Sequence, residues 1–468
     1  MYYKLNSKYL LRGWQQLPYA LVDKETKAIM FVSGKYGCLI EMCTGMLDMD
    51  SLLFSAEQRK VIGYFADQGY LAKSEFPCEI EEEQKYFQYP CRFIKSAHWS
   101  ITGLCNYRCK HCYMSAPHAK YGMLSHEDCM RIVDQLAECG IFKVSLTGGE
   151  PLLREDFMDI VDALLQHDIQ ITTIFSNGKL INREFLQKLR DRGISPEINI
   201  SFDGVGWHDW LRGVDGAEEI AKNAFRLCHE MGFRTDAEMC LHRKNKDVIR
   251  ESVQLLKELH VEGLKISPVM DVGEWTNVEK DLALTEEEIY ETYLSYIPQY
   301  MEDGQPISIM LGNLFMADGS GKYRIPGIHR ISDPEKYCIC GHARNHLYIA
   351  ADGRLLPCMP LSGNDEIASQ FPMITKMELK DALSDSVYMS CIDTKLSEYL
   401  HKNDECRNCK YQLECGGGCR GQALNYDKTN YLGIDKAACL LFKNDYIERL
   451  KQIMDKWPMK EISQFGEA

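Results

Sequence analysis

Apolar and polar positions recur with two different periods along this chain, and the changes of period mark out three regions. In the first, residues 17–22 and 28–32 are apolar runs on either side of the polar stretch Asp23-Lys24-Glu25-Thr26-Lys27, the pattern of a hairpin. A helix fits residues 56–68, with Val61, Ile62 and Phe65 on one face and Gly69 as its stop. The acidic segment 79–83, flanked by Pro77 and Pro90, reads as a linker. Residues 1–78 are therefore expected to form a small α+β unit.

From 92 to 315 short apolar runs alternate with amphipathic stretches. Strands are expected at 96–102, 143–147, 170–175, 197–202, 235–241 and 263–268, with helices between them such as 156–166 and 183–190. Strand, helix, strand repeated in this way implies an α/β fold, a parallel sheet with helices outside it. Periodicity alone leaves open whether that sheet closes into a barrel. Residues 335–445 show little regular pattern yet hold nine cysteines, so ligand bonds rather than a large apolar core are expected to organise them. A helical pattern at 440–457 leads into the tail, 446–468.

Composition changes this picture in one respect. Of 468 residues 45% are hydrophobic and 26% charged, which is ordinary for a globular protein. A formal net charge of -14 argues against nucleic acid as a partner, which needs a dominant basic field. Met1 to Gly13 holds Lys4, Lys8 and Arg12 without a long apolar run, so it does not read as a signal peptide, and no apolar stretch suits a membrane span. A cytoplasmic protein is expected. There, twenty cysteines point to metal binding or catalysis before disulfides, because cytosolic thiols are kept reduced.

Cys105, Cys109 and Cys112 fall within eight residues, just after the first strand of the α/β region, where such sheets place their sites. Three thiolates suit a four-iron cubane with one iron left free to chelate a ligand. A closed zinc site would want a fourth ligand, and His111 is too close to Cys112 in sequence to chelate beside it.

This CxxxCxxC spacing resembles the radical S-adenosylmethionine (SAM) superfamily, and Thr147-Gly148-Gly149-Glu150-Pro151 at the end of the second strand extends the resemblance. The resemblance implies a partial (β/α)6 TIM-like barrel over about residues 95–275. It also implies a SAM-cleaving [4Fe–4S] cluster on the three cysteines and a 5′-deoxyadenosyl radical as its product. It places Gly148, Gly149, Glu150 and Pro151 at the SAM amino group, and His111 and Tyr113 against adenine. Ser176, in Ser176-Asn177-Gly178, and Ser201, in Ser201-Phe202-Asp203-Gly204, would face the ribose and carboxylate. Arg212, in a segment that also resembles relatives, would pair with the SAM carboxylate or serve a structural ion pair.

The C-terminal cysteines follow a second pattern. Cys340 is followed after twelve residues by Gly353 and after four more by Cys358, and then come Cys406, Cys409, Cys415, Cys419 and Cys439. Residues 347–350 and 354–356 flank Asp352-Gly353, a favoured two-residue hairpin turn that would bring Cys340 and Cys358 together. Gly416, Gly417 and Gly418 supply bare backbone beside Cys415 and Cys419. The array resembles the SPASM extension, which implies two auxiliary [4Fe–4S] clusters and three clusters in all. One would sit on Cys340, Cys358 and Cys419, the other on Cys406, Cys409, Cys415 and Cys439. Cys338 is the local candidate for the missing fourth ligand of the former, since on a strand it would face the same side as Cys340; an open iron is the alternative. Zinc is the competing reading for this array.

SPASM-type enzymes mostly modify peptides or proteins, forming thioether or carbon–carbon crosslinks or oxidising a sulfatase residue. The N-terminal unit resembles a winged-helix-like domain that takes up a leader peptide as an added strand. Sulfatase maturases carry an aspartate after the cysteine matching Cys358, whereas this chain has Met359. The expectation is a peptide maturase acting on a ribosomally made precursor peptide, with a low-potential donor such as flavodoxin or ferredoxin. The alternatives are sulfatase-maturase-like oxidation and peptide epimerisation with Cys240 or Cys391 as hydrogen donor. A mere electron carrier or a non-enzymatic peptide binder would not need both CxxxCxxC and GGEP. No residue is assigned as catalytic acid or base.

Overall fold

The computed structural model describes residues 1–51 and 53–462. The N-terminal unit runs β1 (Tyr2–Leu5), β2 (Tyr9–Trp14), β3 (Leu17–Asp23), β4 (Ile29–Val32), α1 (Gly34–Met42), β5 (Thr44–Asp48), α2 (Ala56–Asp67) and β6 (Leu71–Ser74). The expected hairpin is β3–β4, antiparallel with Tyr19 opposite Val32 and Val22 opposite Ile29. Ser55 and Gln58 cap α2 reciprocally, each side chain meeting the other's backbone N–H. Leu5, Leu11, Leu21, Ile40, Ile62 and Phe65 close a small core of its own.

The acidic stretch read as a linker is stitched to this unit. The buried Gln84 amide donates to the carbonyls of Asn6 (2.9 Å) and Tyr9 (3.1 Å). Arg12 donates to the Glu83 carbonyl at 2.7 Å. Strand β7 (Phe87–Gln88) then pairs with β2. Buried carbonyls need donors, and a polar segment lying alongside them supplies those donors. Trp14, fully buried, stacks on Tyr89 and donates to the Cys139 carbonyl at 3.0 Å, so the unit is docked on the central region.

All six strands read from the sequence are present: β8 (Ser96–Ser100), β9 (Lys143–Thr147), β10 (Gln170–Ser176), β11 (Glu197–Ser201), β12 (Thr235–Leu241) and β13 (Gly263–Pro268). Each is parallel to its sequence neighbour. Helices α3 (His126–Glu138), α4 (Phe157–Gln166), α5 (Arg183–Asp191), α6 (His208–Arg212), α7 (Ala217–Glu230) and α8 (Ile249–Glu258) form the crossovers, and α9 (Glu286–Glu302) leads to a seventh parallel strand, β14 (Ser308–Leu311). Strand β8 stops at Ser100 rather than 102, because the Thr102 hydroxyl takes the Leu104 N–H and turns the chain.

The sheet stays open and grows at both edges. Beyond β14 come β15 (Phe315–Ala317) and β16 (Lys322–Arg324), and then the C-terminal strand Lys460–Glu461. On the other edge, after α10 (Gly341–Asn345), strand β17 (His346–Ile349) pairs in parallel with β8, His346 opposite Ser96 and Ile349 opposite Trp99, and β18 (Leu355–Leu356) lies outside it. The cysteine-rich region thus shares a sheet with the α/β region. Its hairpin turn differs from the two-residue form expected: Gly353 N–H donates to the Ala350 carbonyl and Ala350 N–H to the Arg354 carbonyl, so the loop is longer and Gly353 takes the left-handed position (φ +83°). The expected terminal helix is two, Lys436–Lys443 and Tyr446–Met454, broken at Asp445 (φ +55°). Residues 463–468 of the expected tail lie outside the described residues.

Candidate active site and cluster-binding sites

The loop after β8 carries the first three thiols, and neighbouring strand ends hold it by backbone contact. Gly149 N–H donates to the Thr102 carbonyl and Glu150 N–H to the Leu104 carbonyl, both at 2.8 Å. These approaches leave no room for side chains: a Cβ on Gly148 would lie 2.4 Å from the Thr102 oxygen, and one on Gly149 2.2 Å from the Leu104 oxygen. On the far side, Arg108 and Lys110 N–H donate to the Arg212 and Leu211 carbonyls at the end of α6.

Cys105, Cys109 and Cys112 lie within electrostatic reach of one another. Burial pushes the Cys105 thiol up to about 12 and Cys109 to about 11, and raises Cys112. Donors nonetheless point at these sulfurs: Tyr107 N–H at 3.4 Å from Cys105 Sγ, Ala116 N–H at 3.3 Å from Cys112 Sγ, and the Arg212 guanidinium at 3.8 Å from Cys109 Sγ. Three half-buried thiols surrounded by hydrogen-bond donors fit a metal cluster, which requires thiolates and is tuned by such bonds. When bound, a [4Fe–4S] cluster with SAM supplies an adenosyl radical able to abstract hydrogen.

The side chains expected around SAM divide into two groups. Glu150 is fully buried and turned toward β10, accepting from Leu152 N–H (3.2 Å), Asn177 N–H (2.8 Å) and the Ser176 hydroxyl (3.0 Å). Desolvation holds its carboxyl up near 7 despite these donors. Ser176 is thereby committed to Glu150, and its oxygen also accepts from Gly178 N–H. Buried Pro151 starts a 3-10 turn, and Ser201 ends β11 half-buried, in register with Glu238. His111, in contrast, keeps a buried Nδ1 without a partner among the described residues, and burial takes its pKa down to about 3. One donor atom each from His111, Asp203 and Cys240 lies within 4.8 Å of the others, so this is a polar spot beside the cluster loop. An uncommitted ring nitrogen there suits a hydrogen-bonding cofactor such as SAM. The Tyr113 hydroxyl meets that of Tyr348 at 3.3 Å.

Arg212 takes the ion-pair role rather than being left free for a carboxylate ligand. Its Nε donates to Asp203 Oδ2 at 2.6 Å, and Asp203 Oδ1 accepts from Cys240 N–H at 3.0 Å. Asp203 is fully buried, and the guanidinium beside it holds its carboxyl well below the usual range against desolvation. Three contributors were not assigned roles from the sequence. Asn177 Nδ2 donates to Asn106 (2.7 Å) and faces Cys105 Sγ (3.8 Å), tying β10 to the cluster loop. Tyr348, on β17, bonds Ser100 at 2.8 Å. Trp210, His242 and Trp275 form an aromatic group with Lys244 over Trp210. Asn177 and Asp203 sit in motifs visible in the sequence; Tyr348 has no sequence signal, because a distant strand pairing delivers it.

In the C-terminal region Cys406, Cys409, Cys415 and Cys439 line one cavity of about 450 Å³, with Tyr411, Phe442 and Lys443 among its walls. The Tyr399 hydroxyl lies 3.6 Å from Cys406 Sγ. Four thiols around one cavity fit a cubane. A second set forms around Cys358, whose electrostatic neighbours are Cys340, Cys419 and Cys391. Cys419 N–H donates to the buried Asp435 carboxylate at 2.8 Å. Cys338 does not share a strand with Cys340: it forms an isolated bridge with Lys395, while Cys340 caps α10. Its sulfur accepts from Arg344 (2.5 Å) and Lys395 (3.0 Å). Of the remaining cysteines, Cys43, Cys91, Cys129, Cys139 and Cys228 are buried, while Cys38 and Cys78 are exposed.

Comparison with known proteins agrees with this geometry. Residues 99–256 match the model of the radical SAM superfamily, and residues 338–410 that of the SPASM iron–sulfur cluster-binding domain. The PqqA peptide cyclase of Granulibacter bethesdensis is 24% identical over 344 residues, 73% of this chain and 86% of that protein. The GTP 3′,8-cyclase of Alkaliphilus oremlandii is 28% identical over 282 residues, 57% of this chain and 81% of that protein. Among solved structures, Streptococcus suis SuiB bound to precursor peptide SuiA superposes with a TM-score of 0.63 at 14% identity, covering 93% of this chain and 99% of that one. The anSMEcpe structure with bound AdoMet and Cp18Cys peptide gives 0.56 at 18% identity, covering 78% and 99%. Converging thiols, the glycine-lined strand end and both family matches give this chain a radical SAM domain and a SPASM domain, those of an enzyme that uses SAM and iron–sulfur clusters.

Proposed function

We propose that this enzyme is a peptide maturase that forms a thioether or carbon–carbon crosslink in a ribosomally made precursor peptide. The observation that carries the reading is an open cavity of about 600 Å³ between the two kinds of cluster site. One wall is Gly273, whose backbone packs on the Cys112 and Tyr113 carbonyls. The opposite wall includes Pro360 and Gly421, the latter 3.8 Å from Cys419 Sγ as measured from its Cβ position. A side chain held there would meet an adenosyl radical on one side and an electron acceptor on the other. Removal of a hydrogen atom and of one further electron and proton leaves the two-hydrogen loss that a crosslink requires. Asn364, Asp365, Asn425 and Lys428 line the same space and offer polar contacts to a peptide backbone.

Residues 1–78 act in this reading as the leader-recognition unit, 92–315 as the SAM-cleaving unit, 335–445 as the auxiliary-cluster unit, and 446–468 as a terminal helix and tail. At edge strand β5 the Thr44 and Gly45 carbonyls take the Ile80 and Cys78 N–H groups, while exposed Met46 and Leu47 continue the edge, where a leader could add as a strand. The SAM-contacting set would be His111, Tyr113, Gly148, Gly149, Glu150, Pro151, Ser176 and Ser201. The electron donor would be a flavodoxin or ferredoxin, and the compartment the cytoplasm; no described helix is long and apolar enough to cross a membrane. The test is co-expression with a short cysteine-bearing peptide encoded beside the gene, followed by mass measurement. Loss of two hydrogens per crosslink is expected. An unchanged peptide, from enzyme that carries iron and releases 5′-deoxyadenosine, would sink the proposal.

A further inference from the structure

The first auxiliary site has three cysteines by spacing, and a cubane has four iron corners. The helix Ser386–Asp393 supplies a fourth thiol from outside the expected array. It packs against α10, the helix that Cys340 caps, and its buried face carries Tyr388, Cys391 and Ile392. Cys391 is 3% exposed and within electrostatic reach of Cys340 and Cys358, and the Tyr431 hydroxyl is bonded to the adjacent Ser390 Oγ at 2.9 Å. A second observation points the same way. Tyr388 is fully buried, its hydroxyl has no partner among the described residues, and its neighbours are Cys391, Cys358 and Cys340. An orphaned hydroxyl among thiols costs stability unless something there accepts its hydrogen bond, and a cluster sulfur would. Cys338, the nearer candidate by sequence, lies on an isolated bridge with Lys395, whereas the thiols around Cys358 are Cys340, Cys419 and Cys391.

We infer that Cys391 is the fourth ligand of the first auxiliary cluster, which is therefore held by Cys340, Cys358, Cys391 and Cys419, with Tyr388 donating a hydrogen bond to it. The inference rests on the SPASM domain holding two clusters. It does not depend on the peptide substrate, and its readout is separate from turnover.

The test uses full-length protein in which Cys105, Cys109 and Cys112 are replaced by alanine, so that only auxiliary clusters remain. Anaerobic reconstitution should give about eight irons per chain, two cubanes; a protein that takes up no iron would overturn the two-cluster premise and the inference with it. Cys391→Ser, which keeps a weaker oxygen ligand, is expected to shift the electron paramagnetic resonance signal of one cluster and leave the other unchanged. Cys391→Ala is expected to open one iron, so that ¹³C-cyanide binds and shows hyperfine coupling, while the parent and Cys338→Ala bind none. Cyanide binding in the parent, or in Cys338→Ala but not Cys391→Ala, would overturn the assignment. So would a Cys391→Ser signal identical to the parent's.

Discussion

Replacing Gly149 by alanine tests how tightly the cluster loop is held. The new Cβ would fall 2.2 Å from the Leu104 carbonyl oxygen and 3.0 Å from Cys105 Cβ. A carbon and an oxygen rest at about 3.3 Å even in close backbone contacts, so the two segments must part by roughly 1 Å. The movement strains the Thr102 and Leu104 carbonyl bonds to residues 149 and 150. Overpacking of this kind costs about 1–3 kcal/mol, which a domain of this size can absorb. Function is more sensitive: a displacement of about 1 Å at a reacting centre costs on the order of 100-fold in rate, and here it falls on Cys105 itself. Gly149→Ala should therefore retain its iron yet form 5′-deoxyadenosine about 100-fold more slowly. Gly63→Ala is the control: it lies inside α2 with nothing within 4 Å of its Cβ position, and should raise stability by about 1 kcal/mol without affecting SAM cleavage. Measured side by side, a Gly149→Ala enzyme with the parent's rate and KM for SAM would refute the argument.

Other predictions address the buried charges. Glu150 has its carboxyl pKa raised from 4.5 to about 7, so between those values the folded state holds a proton that the unfolded chain has released. That contribution is complete below pH 4.5 and disappears as pH rises through 7, amounting to about 3 kcal/mol; apo-protein melting curves should show this loss, and Glu150→Gln should flatten it. Arg212→Met strands Asp203 in the interior and should cost about 3–5 kcal/mol in denaturant unfolding, most of it recovered when Asp203→Asn is added. Tyr348→Phe removes the bond to Ser100 and the contact with Tyr113, and should cost about 1 kcal/mol while lowering SAM affinity more than cluster content, as seen in equilibrium binding.

What the sequence revealed followed the range of each interaction. Cys105, Cys109 and Cys112 are local, so their spacing alone exposes them, and the six strands are legible because short runs with buried apolar positions alternate with helical patterns. Cys406, Cys409 and Cys415 are local in the same way, whereas Cys439 joins them only through the resemblance to the SPASM pattern. Arg212 shows the limit: its pairing with Asp203 bridges only nine residues, yet periodicity cannot say whether a guanidinium faces a ligand or a buried carboxylate. Cys391 lay further out of reach. It follows no motif, and only the packing of two short helices brings it to Cys358. The acidic 79–83 stretch reads as solvent-facing, and its glutamates are exposed, yet Gln84 just beyond it and Lys24 beside Glu81 and Glu83 tie the segment to the N-terminal unit.

Strand β8 explains why one loop can serve both ends of the reaction. Its β9 edge delivers the glycines that hold the Cys105 segment, and its β17 edge delivers Tyr348 to Tyr113 in the same loop. Beyond Tyr348 the chain turns directly into β18 and Cys358, two residues past the end of the sheet. The cluster loop is thus held from both neighbours of β8, and the β17 side continues through an antiparallel turn into the Cys358 segment. Gly273 follows β13 and Pro360 follows β18, so both walls of the open cavity are reached from strands of one sheet. Under the peptide-maturase proposal, the spacing of these walls, more than any single acid or base, would decide which substrate carbon lies nearest the radical.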